Sequence, residues 1–446
     1  MIEQIIALSI YIFLIGGIVI KNNPKIFSRG VKITFSNVVI LAFILYTFFP
    51  VIDCFVNNKN IENATNFLWQ SIFIIICIFM GMILEMKIRI IGFKRKEVDT
   101  YICNNPMLWT AFWGIICLLF LFINIHFTRG GLINYLTASY RESYIGNAIA
   151  TSTIGSLMFA VMPYVMIFTD REVVKMRSAR IMAYIVGIIY ILVTFMGGNR
   201  NLAVMIIIAG AWTVLREKKF NVVIIIISAT LGVIILGVMA VLREYGIANV
   251  LSGQIKLNWD SIFQYAFSFS NGELGTTLMF EGYTKRLDPS FKFPYSYGYS
   301  YIILPILNLI PSAIWASKPM AYADYFSHYA FGNFEGIGYG FSPIYEAKIN
   351  FGFIWWIVFI TIGIFMAKRD KYSKYKNSYY NTGLIACIIL NFFRIDFSTC
   401  FKFWAMMWCF KWLYLKTLQS KIEGSKDENK KRYNFKEGNN QRGYIY

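Results

Sequence analysis

Two arginines near the middle of the chain have the setting of an anion site. In Gly197-Gly198-Asn199-Arg200-Asn201 one apolar run ends in two glycines, Asn199 is a favourable N-cap residue, and a new apolar run begins. The N–H groups at such a helix start and the planar guanidinium of Arg200 suit phosphate oxygens. Arg243 follows the next apolar run on the same predicted face, so the pair could chelate a diphosphate. The alternative is a tight turn whose arginines extend to the membrane interface.

The one long segment that is not mostly apolar, residues 243–342, is rich in groups that bind sugars. It contains 23 aromatic and seven acidic residues. Disordered segments are poor in aromatics, so this segment is expected to fold. Aromatic rings beside carboxylates and hydroxyls suit a sugar, which has apolar C–H faces and a rim of hydroxyls. The candidate side chains are Tyr297, Tyr299, Glu281, Asp324 and His328. A belt of tyrosines at the membrane interface is the alternative for the aromatic residues.

Other ionisable residues lie at the ends of apolar runs. The segment Ser342-Pro343 opens one run and Glu346 follows in its first turn, which is an N-terminal helix signature, so capping is the favoured role of Glu346. Arg394 and Asp396 lie near the end of another run. Ionisable residues near a membrane are functional candidates by default, and a local ion pair is the alternative.

The composition indicates a polytopic membrane protein, because 57% of the 446 residues are hydrophobic and only 15% are charged. The net charge of +19 is concentrated in connecting segments, and no nucleic-acid-binding module is visible, so nucleic acid is not expected as a partner. The seven cysteines have no CxxC spacing, and no cluster of ligands for zinc is present. We therefore predict no metal site and no cofactor.

The predicted fold is an all-α bundle of about eleven transmembrane helices with one large extracytoplasmic loop. The predicted spans are residues 2–20, 33–56, 68–86, 107–127, 152–169, 181–197, 201–215, 221–242, 343–367, 379–397 and 400–418. Within the loop, residues 301–317 are apolar but broken by Pro305 and Pro311. Such a piece is expected to be re-entrant or interfacial and to cover the site.

Basic residues set the predicted orientation. Alternate connecting segments hold 29 of the 43 Lys and Arg residues. These segments are residues 21–32, 87–96, 171–180, 216–219, 368–376 and the tail from residue 416. The positive-inside rule places them in the cytoplasm, with the N-terminus outside and the C-terminus inside. The predicted domains are an N-terminal bundle of about eight spans (1–242), the loop (243–342), the C-terminal spans (343–418) and a disordered basic cytoplasmic tail (419–446).

Several of these segments, taken in order, resemble the Wzy-type polymerases of O-antigen and capsular repeat units. They are Arg129-Gly130-Gly131-Leu132 with Tyr140-Arg141, then Gly198-Asn199-Arg200-Asn201-Leu202, Arg243, residues 309–319, residues 342–352 and Phe393-Arg394-Ile395-Asp396-Phe397. The resemblance implies a metal-independent glycosyl transfer at the outer face of the bacterial cytoplasmic membrane. A growing glycan on undecaprenyl diphosphate would be transferred to the end sugar of a newly flipped lipid-linked repeat.

That reaction gives the candidate residues their expected roles. Arg200 and Arg243 would stabilise the leaving diphosphate, with Lys318 and Arg394 as further candidates. A general base for the acceptor hydroxyl would come from Glu281, Asp324 or His328. Substrate contacts would come from Arg141, Tyr297 and Tyr299. The expected partners are the lipid-linked oligosaccharide, membrane lipid, a chain-length regulator and a flippase.

Two other functions remain open from the sequence. A glycan ligase would use the same leaving group and topology but would attach finished polymer to another molecule. A transporter or flippase would favour inverted halves and broken helices at the midplane. Here the charges gather at the outer ends of the predicted spans, which favours the enzyme.

Overall fold

The computed structural model of the chain describes most of the predicted bundle. It covers residues 2–22, 31–32, 34–88, 106–137, 177–196, 200–214, 219–220, 273–278, 297–310, 314–315, 317–331, 340–373 and 376–417, with residue 167 and scattered positions from 227 to 262. Arg141, Arg243 and Glu281 lie outside the described residues, as does the tail from residue 418. Of the predicted spans, 152–169 is described only at residue 167, and 221–242 at 10 of its 22 positions.

The described part is helical apart from one pair of two-residue strands, β1 (Val31–Lys32) and β2 (Lys219–Phe220). The helices of the N-terminal half are α1 (Ile2–Asn22), α2 (Phe35–Val56), α3 (Ile61–Ile88), α4 (Pro106–Arg129), α5 (Leu132–Thr137), α6 (Arg177–Met196) and α7 (Arg200–Val214). Those that follow are α8 (Tyr299–Asn308), α9 (Tyr322–Phe331), α10 (Pro343–Phe351), α11 (Ile357–Tyr372), α12 (Lys376–Phe392) and α13 (Phe397–Thr417), with 3-10 turns at Glu273–Gly275 and Gly352–Ile354.

Helices α1 to α4 are long and apolar enough to cross a membrane, and they match the first four predicted spans. The segment from α10 through α11 would be a fifth crossing if it is one broken span. The remaining predicted spans with described helices fall on α6, α7, α12 and α13, which do not meet the same criterion of length and hydropathy over their described residues. The all-helical membrane fold is thus confirmed, and the count of eleven spans stays a prediction.

The ninth predicted span, residues 343–367, is not a continuous helix. Its two helical parts meet at an angle of 115°. The chain turns at Gly352, which has φ 51° and ψ −123°, a backbone conformation that residues with a Cβ rarely adopt. The sequence pattern missed this break because both halves are apolar and a single glycine is common within a span.

Two glycines bring the C-terminal half of the chain against the N-terminal half. A Cβ atom on Gly81 of α3 would lie 2.0 Å from the carbonyl oxygen of Ile360, and one on Gly363 of α11 would lie 2.1 Å from that of Ile78. The two helix backbones therefore touch, as small residues allow in membrane proteins. Phe73 contacts Trp355 further towards the start of both helices, so α3 and α11 run in the same direction.

Three of the basic connecting segments meet at one end of the bundle. Strands β1 and β2 join two of them, with Val31 opposite Phe220. The backbone N–H of Ser36, at the start of α2, donates to Asp370 Oδ1 at 3.2 Å at the end of α11, next to the third segment. Their meeting agrees with the prediction that they share one side of the membrane, and which side that is remains a prediction.

Candidate functional site

The start of α13 is the centre of a buried polar cluster at the other end of the bundle. Asp396 caps this helix: its Oδ1 accepts from the backbone N–H of Thr399 at 3.0 Å, and its Oδ2 accepts from Thr399 Oγ1 at 3.0 Å. Its carboxylate also accepts a hydrogen bond from Ser398 Oγ, and Asp396 is fully buried. These contacts explain why the predicted span ending at residue 397 stops at Phe392 and a new helix begins at Phe397.

Glu346 of α10 joins three helices. Its Oε1 accepts from Ser300 Oγ of α8 at 2.6 Å, and its Oε2 accepts from the backbone N–H of Phe397 at 2.8 Å. Asn350, one turn further along α10, donates to Ser300 Oγ at 2.8 Å. Ser342 caps α10 as predicted, because its Oγ accepts from the backbone N–H of Tyr345. Glu346 also caps a helix, but that helix is α13, which begins 51 residues later, and not α10, to which Glu346 belongs.

Asp324 of α9 is the carboxylate of this cluster that solvent reaches. Its side chain is exposed, whereas Glu346 and Asp396 are buried. Protein nevertheless surrounds the carboxyl, so that desolvation, followed by the charge of Asp396, raises its pKa to about 6. The positive charges of Lys402 and Lys318 act in the opposite direction.

Lys318 and Lys402 provide the positive charges that act on Asp324. Lys318 Nζ donates to the carbonyl oxygen of Ile310 at 2.7 Å, and burial lowers the pKa of Lys318 while Asp324 raises it. Lys402 lies on α13 and is only 6% exposed. Asn308 Nδ2 of α8 donates to Ser398 Oγ at 3.3 Å, which holds α8 against the start of α13. The cluster therefore combines three carboxyl groups, of which only that of Asp324 is exposed, with two ammonium groups and fixed hydrogen-bond donors.

Two segments of the predicted extracytoplasmic loop hold the link between α12 and α13. The backbone N–H of Phe341 donates to the carbonyl oxygen of Arg394 at 2.6 Å, and Thr277 Oγ1 donates to that of Phe393 at 3.1 Å. Gly340 fits here because a Cβ atom would lie 2.6 Å from the oxygen of Arg394. The half-buried Arg394 is therefore positioned by the loop as well as by its own helix.

Helix α7 brings its first residue, Arg200, to the same end of the bundle. Asn391 Nδ2 of α12 donates to the sulfur of Met205 at 3.2 Å, and Trp212 Nε1 donates to the carbonyl oxygen of Tyr379 at 3.2 Å. Helices α7 and α12 are therefore antiparallel. Arg200 lies five residues before Met205, and Asp396 lies five residues after Asn391, so the start of α7 and the start of α13 are at similar heights.

The other predicted site residues of the described chain differ in their surroundings. Tyr297 is 94% exposed and has a positive φ of 61°. Tyr299 is half-buried and packs against a small apolar cluster that includes Tyr322 and Phe326. His328 is half-buried on α9, four residues after Asp324. The apolar piece beginning at Tyr301 is helical through Asn308, and the Tyr301 ring lies 5.1 Å from the Phe397 ring, so α8 covers the start of α13.

Sequence reasoning missed Lys402, Ser300 and Asn350. Lys402 did carry a signal, since it is a lone ammonium near the start of an apolar run, where a charge is costly and commonly functional. Ser300 and Asn350 carried none, because a serine among tyrosines and an asparagine in a helix are common. Their role depends on the packing of α8 against α10.

Comparison with known families gives one match, and it covers essentially the whole chain. A family model described as O-antigen polysaccharide polymerase Wzy matches residues 2–419. No curated protein and no solved structure matches the chain. The resemblance drawn from the sequence segments is thereby confirmed.

Proposed function

Because the chain belongs to the O-antigen polysaccharide polymerase Wzy family, whose members polymerise O-antigen repeat units in bacterial membranes, we propose that its donor is a glycan on undecaprenyl diphosphate. The reaction takes place at the outer face of the cytoplasmic membrane. The end hydroxyl of one lipid-linked repeat attacks the anomeric carbon of the growing glycan on a second lipid. The bond from that carbon to the diphosphate breaks, the hydroxyl proton passes to a base, and the lipid diphosphate leaves.

The observation that carries this proposal is the exposed Asp324 carboxyl, on which the charges of Lys318 and Lys402 act. A general base needs a pKa near the working pH and must reach the substrate proton. Asp324 has a pKa raised to about 6 and is exposed. Glu346 and Asp396 are buried, and their oxygens accept hydrogen bonds that hold helices together. Asp324 is therefore the preferred base, ahead of His328 and Glu281.

The cations around this carboxylate suit the leaving group. Negative charge develops on the diphosphate as the C–O bond breaks, and fixed positive groups stabilise that charge in the transition state. We assign this role to Arg200 with the start of α7, to Arg243, and to Lys318 and Arg394. Lys402 joins them because its charge acts on Asp324 from the core of the cluster. We assign the binding of the glycan to Arg141, Tyr297 and Tyr299.

The remaining expectations belong to the same proposal. The chemistry uses no metal or cofactor, the N-terminus is outside, and the C-terminus is cytoplasmic. A flippase supplies the lipid-linked repeat, and a chain-length regulator acts on the product. The segments 1–242, 243–342 and 343–418 then act as one catalytic unit, with 419–446 as its cytoplasmic tail.

Reconstitution tests the proposal directly. Purified protein in liposomes is given the lipid-linked repeat as its sole glycan, and the products are separated by size. We expect a ladder of polymers from the wild type and from Glu62→Gln, a change at an exposed position. Asp324→Asn should leave single repeats with a rate at least about 100-fold lower, the usual scale of general-base catalysis. A wild type that moves the repeat across the bilayer without extending it would be a transporter. One that extends only an added non-glycan acceptor would be a ligase.

A further inference from the structure

A groove lies across α10 from the polar cluster. Glu346 and Lys348 are two residues apart, so a pitch of 3.6 residues per turn directs their side chains to nearly opposite sides of the helix. On the Lys348 side there is a groove of about 520 Å³, a volume within the usual range of small-ligand sites. Its lining residues are Phe73, Lys348, Gly352, Phe353, Trp355 and Trp356.

The groove has a cationic end and an aromatic body. Lys348 Nζ donates to Gln70 Oε1 at 2.9 Å and lies 5.6 Å from the ring centroid of Trp355. Gln70 is the tenth of the 28 residues of α3, so the ammonium lies nearer the start of this helix than its end. Phe73 is about one turn deeper, and its ring is 5.8 Å from that of Trp355. A ligand with an anionic head and an apolar chain matches this order.

The break between α10 and α11 creates the groove. The backbone turns away at Gly352, where an added Cβ atom would meet no other atom within 4 Å. Phe353 is 92% exposed at the edge. Phe353, Trp355 and Trp356 line this space together with Phe73 of α3. The arrangement therefore favours a bound chain over a simple interfacial anchor.

We propose that this groove holds the acceptor lipid of the polymerisation reaction, with its polyprenyl chain along the aromatic residues and its diphosphate beside Lys348. The inference rests on the proposed function. That reaction needs two lipid diphosphates at once, and only the donor's diphosphate leaves. The acceptor's diphosphate must lie a repeat-unit length away from its reacting hydroxyl. The groove is a separate place for it, because α10 lies between the groove and the polar cluster and so keeps the two diphosphates apart. One lysine there binds the anion without promoting its departure.

Steady-state kinetics with two distinguishable lipids test this assignment. The donor carries a preformed polymer, and the acceptor carries a single labelled repeat. We expect Lys348→Met and Phe353→Ala each to raise the KM of the acceptor about tenfold, with kcat and the KM of the donor nearly unchanged. The matched controls are Lys59→Met, in an exposed loop, and Phe13→Ala, at an exposed position of α1. An unchanged acceptor KM, or an equal rise in both KM values, would overturn the proposal.

Photo-cross-linking separates the acceptor from ordinary lipid and from failure of the proposed function. A benzophenone amino acid replaces Phe353, or Phe13 as a control, and the probe is the labelled single-repeat lipid. Selective labelling at position 353 that an equal amount of phosphatidylglycerol does not displace supports the assignment. Displacement by phosphatidylglycerol, or equal labelling at both positions, refutes it even if polymer still forms. Selective labelling without any polymer would retain the groove as a lipid site and refute the proposed function.

Discussion

Glu346 accepts a hydrogen bond from the backbone N–H of Phe397 at 2.8 Å and so ties α10 to the first residue of α13. Replacing it with alanine removes the acceptor of this N–H and of Ser300 Oγ in a buried place. Leaving such groups unsatisfied costs about 1–3 kcal/mol each. Glu346→Ala should therefore lower the Tm in detergent, measured by tryptophan fluorescence. Glu62→Ala, at an exposed position, is the control, and equal Tm values for the two variants would contradict the role.

The pH dependence of polymerisation should show the titration of Asp324. The base form is the ionised carboxylate, so the rate should rise with pH through about 6, the raised pKa of this group. Lys402 and Lys318 lower that pKa. Lys402→Met should therefore raise the pKa and move the acidic limb of the rate profile to higher pH. A limb that does not move in Lys402→Met, or that persists in the residual rate of Asp324→Asn, would assign the titration to another group.

The contact between α3 and α11 should not tolerate a methyl group. A Cβ atom at Gly81 or Gly363 would lie about 2 Å from a backbone carbonyl oxygen, which cannot rotate away. Gly81→Ala and Gly363→Ala should each cost about 1–3 kcal/mol or more, seen as a lower Tm and a smaller yield of monodisperse protein. Gly16→Ala on α1 is the matched control, since a Cβ there meets nothing within 4 Å and alanine favours a helix. Normal Tm values in both contact variants would show that the helices are further apart.

Arg200 and Arg243 should be required for activity but not for insertion. Arg200→Ala and Arg243→Ala are expected to give normal amounts of membrane protein with only single-repeat glycans, seen by glycan profiling in a strain that lacks the wild-type gene. Lysine at either position should rescue poorly, because a point charge does not reproduce the planar fork. Lys371→Ala, at the basic end of α11, should keep the full polymer ladder. Wild-type polymer from either arginine variant would refute its diphosphate role.

The sequence predicted the helical membrane fold and the family, because long apolar runs and ordered motifs are local signals. It also identified Asp324, Lys318, Arg394 and Asp396 as candidates. It could not show that Asp324 and Lys402, 78 residues apart, act on each other electrostatically, since that depends on where the fold places α9 relative to α13. Nor did it detect the break at Gly352. A glycine within an apolar run predicts a close contact as readily as a bend, and the predicted span 343–367 contains both, a close contact at Gly363 and a bend at Gly352.

The Gly81–Gly363 contact also bears on how the protein is made. Helix α3 is translated early in synthesis, but the helix that covers its glycine is translated only after all of residues 243–342. At ribosomal speeds the delay is on the order of tens of seconds. During that time the surface of α3 around Gly81, which α11 covers in the finished fold, must face lipid or a chaperone. The nascent chain thus stays unfinished as a folding unit until its last hundred residues arrive, and a prematurely terminated product would be a ready substrate for membrane proteases.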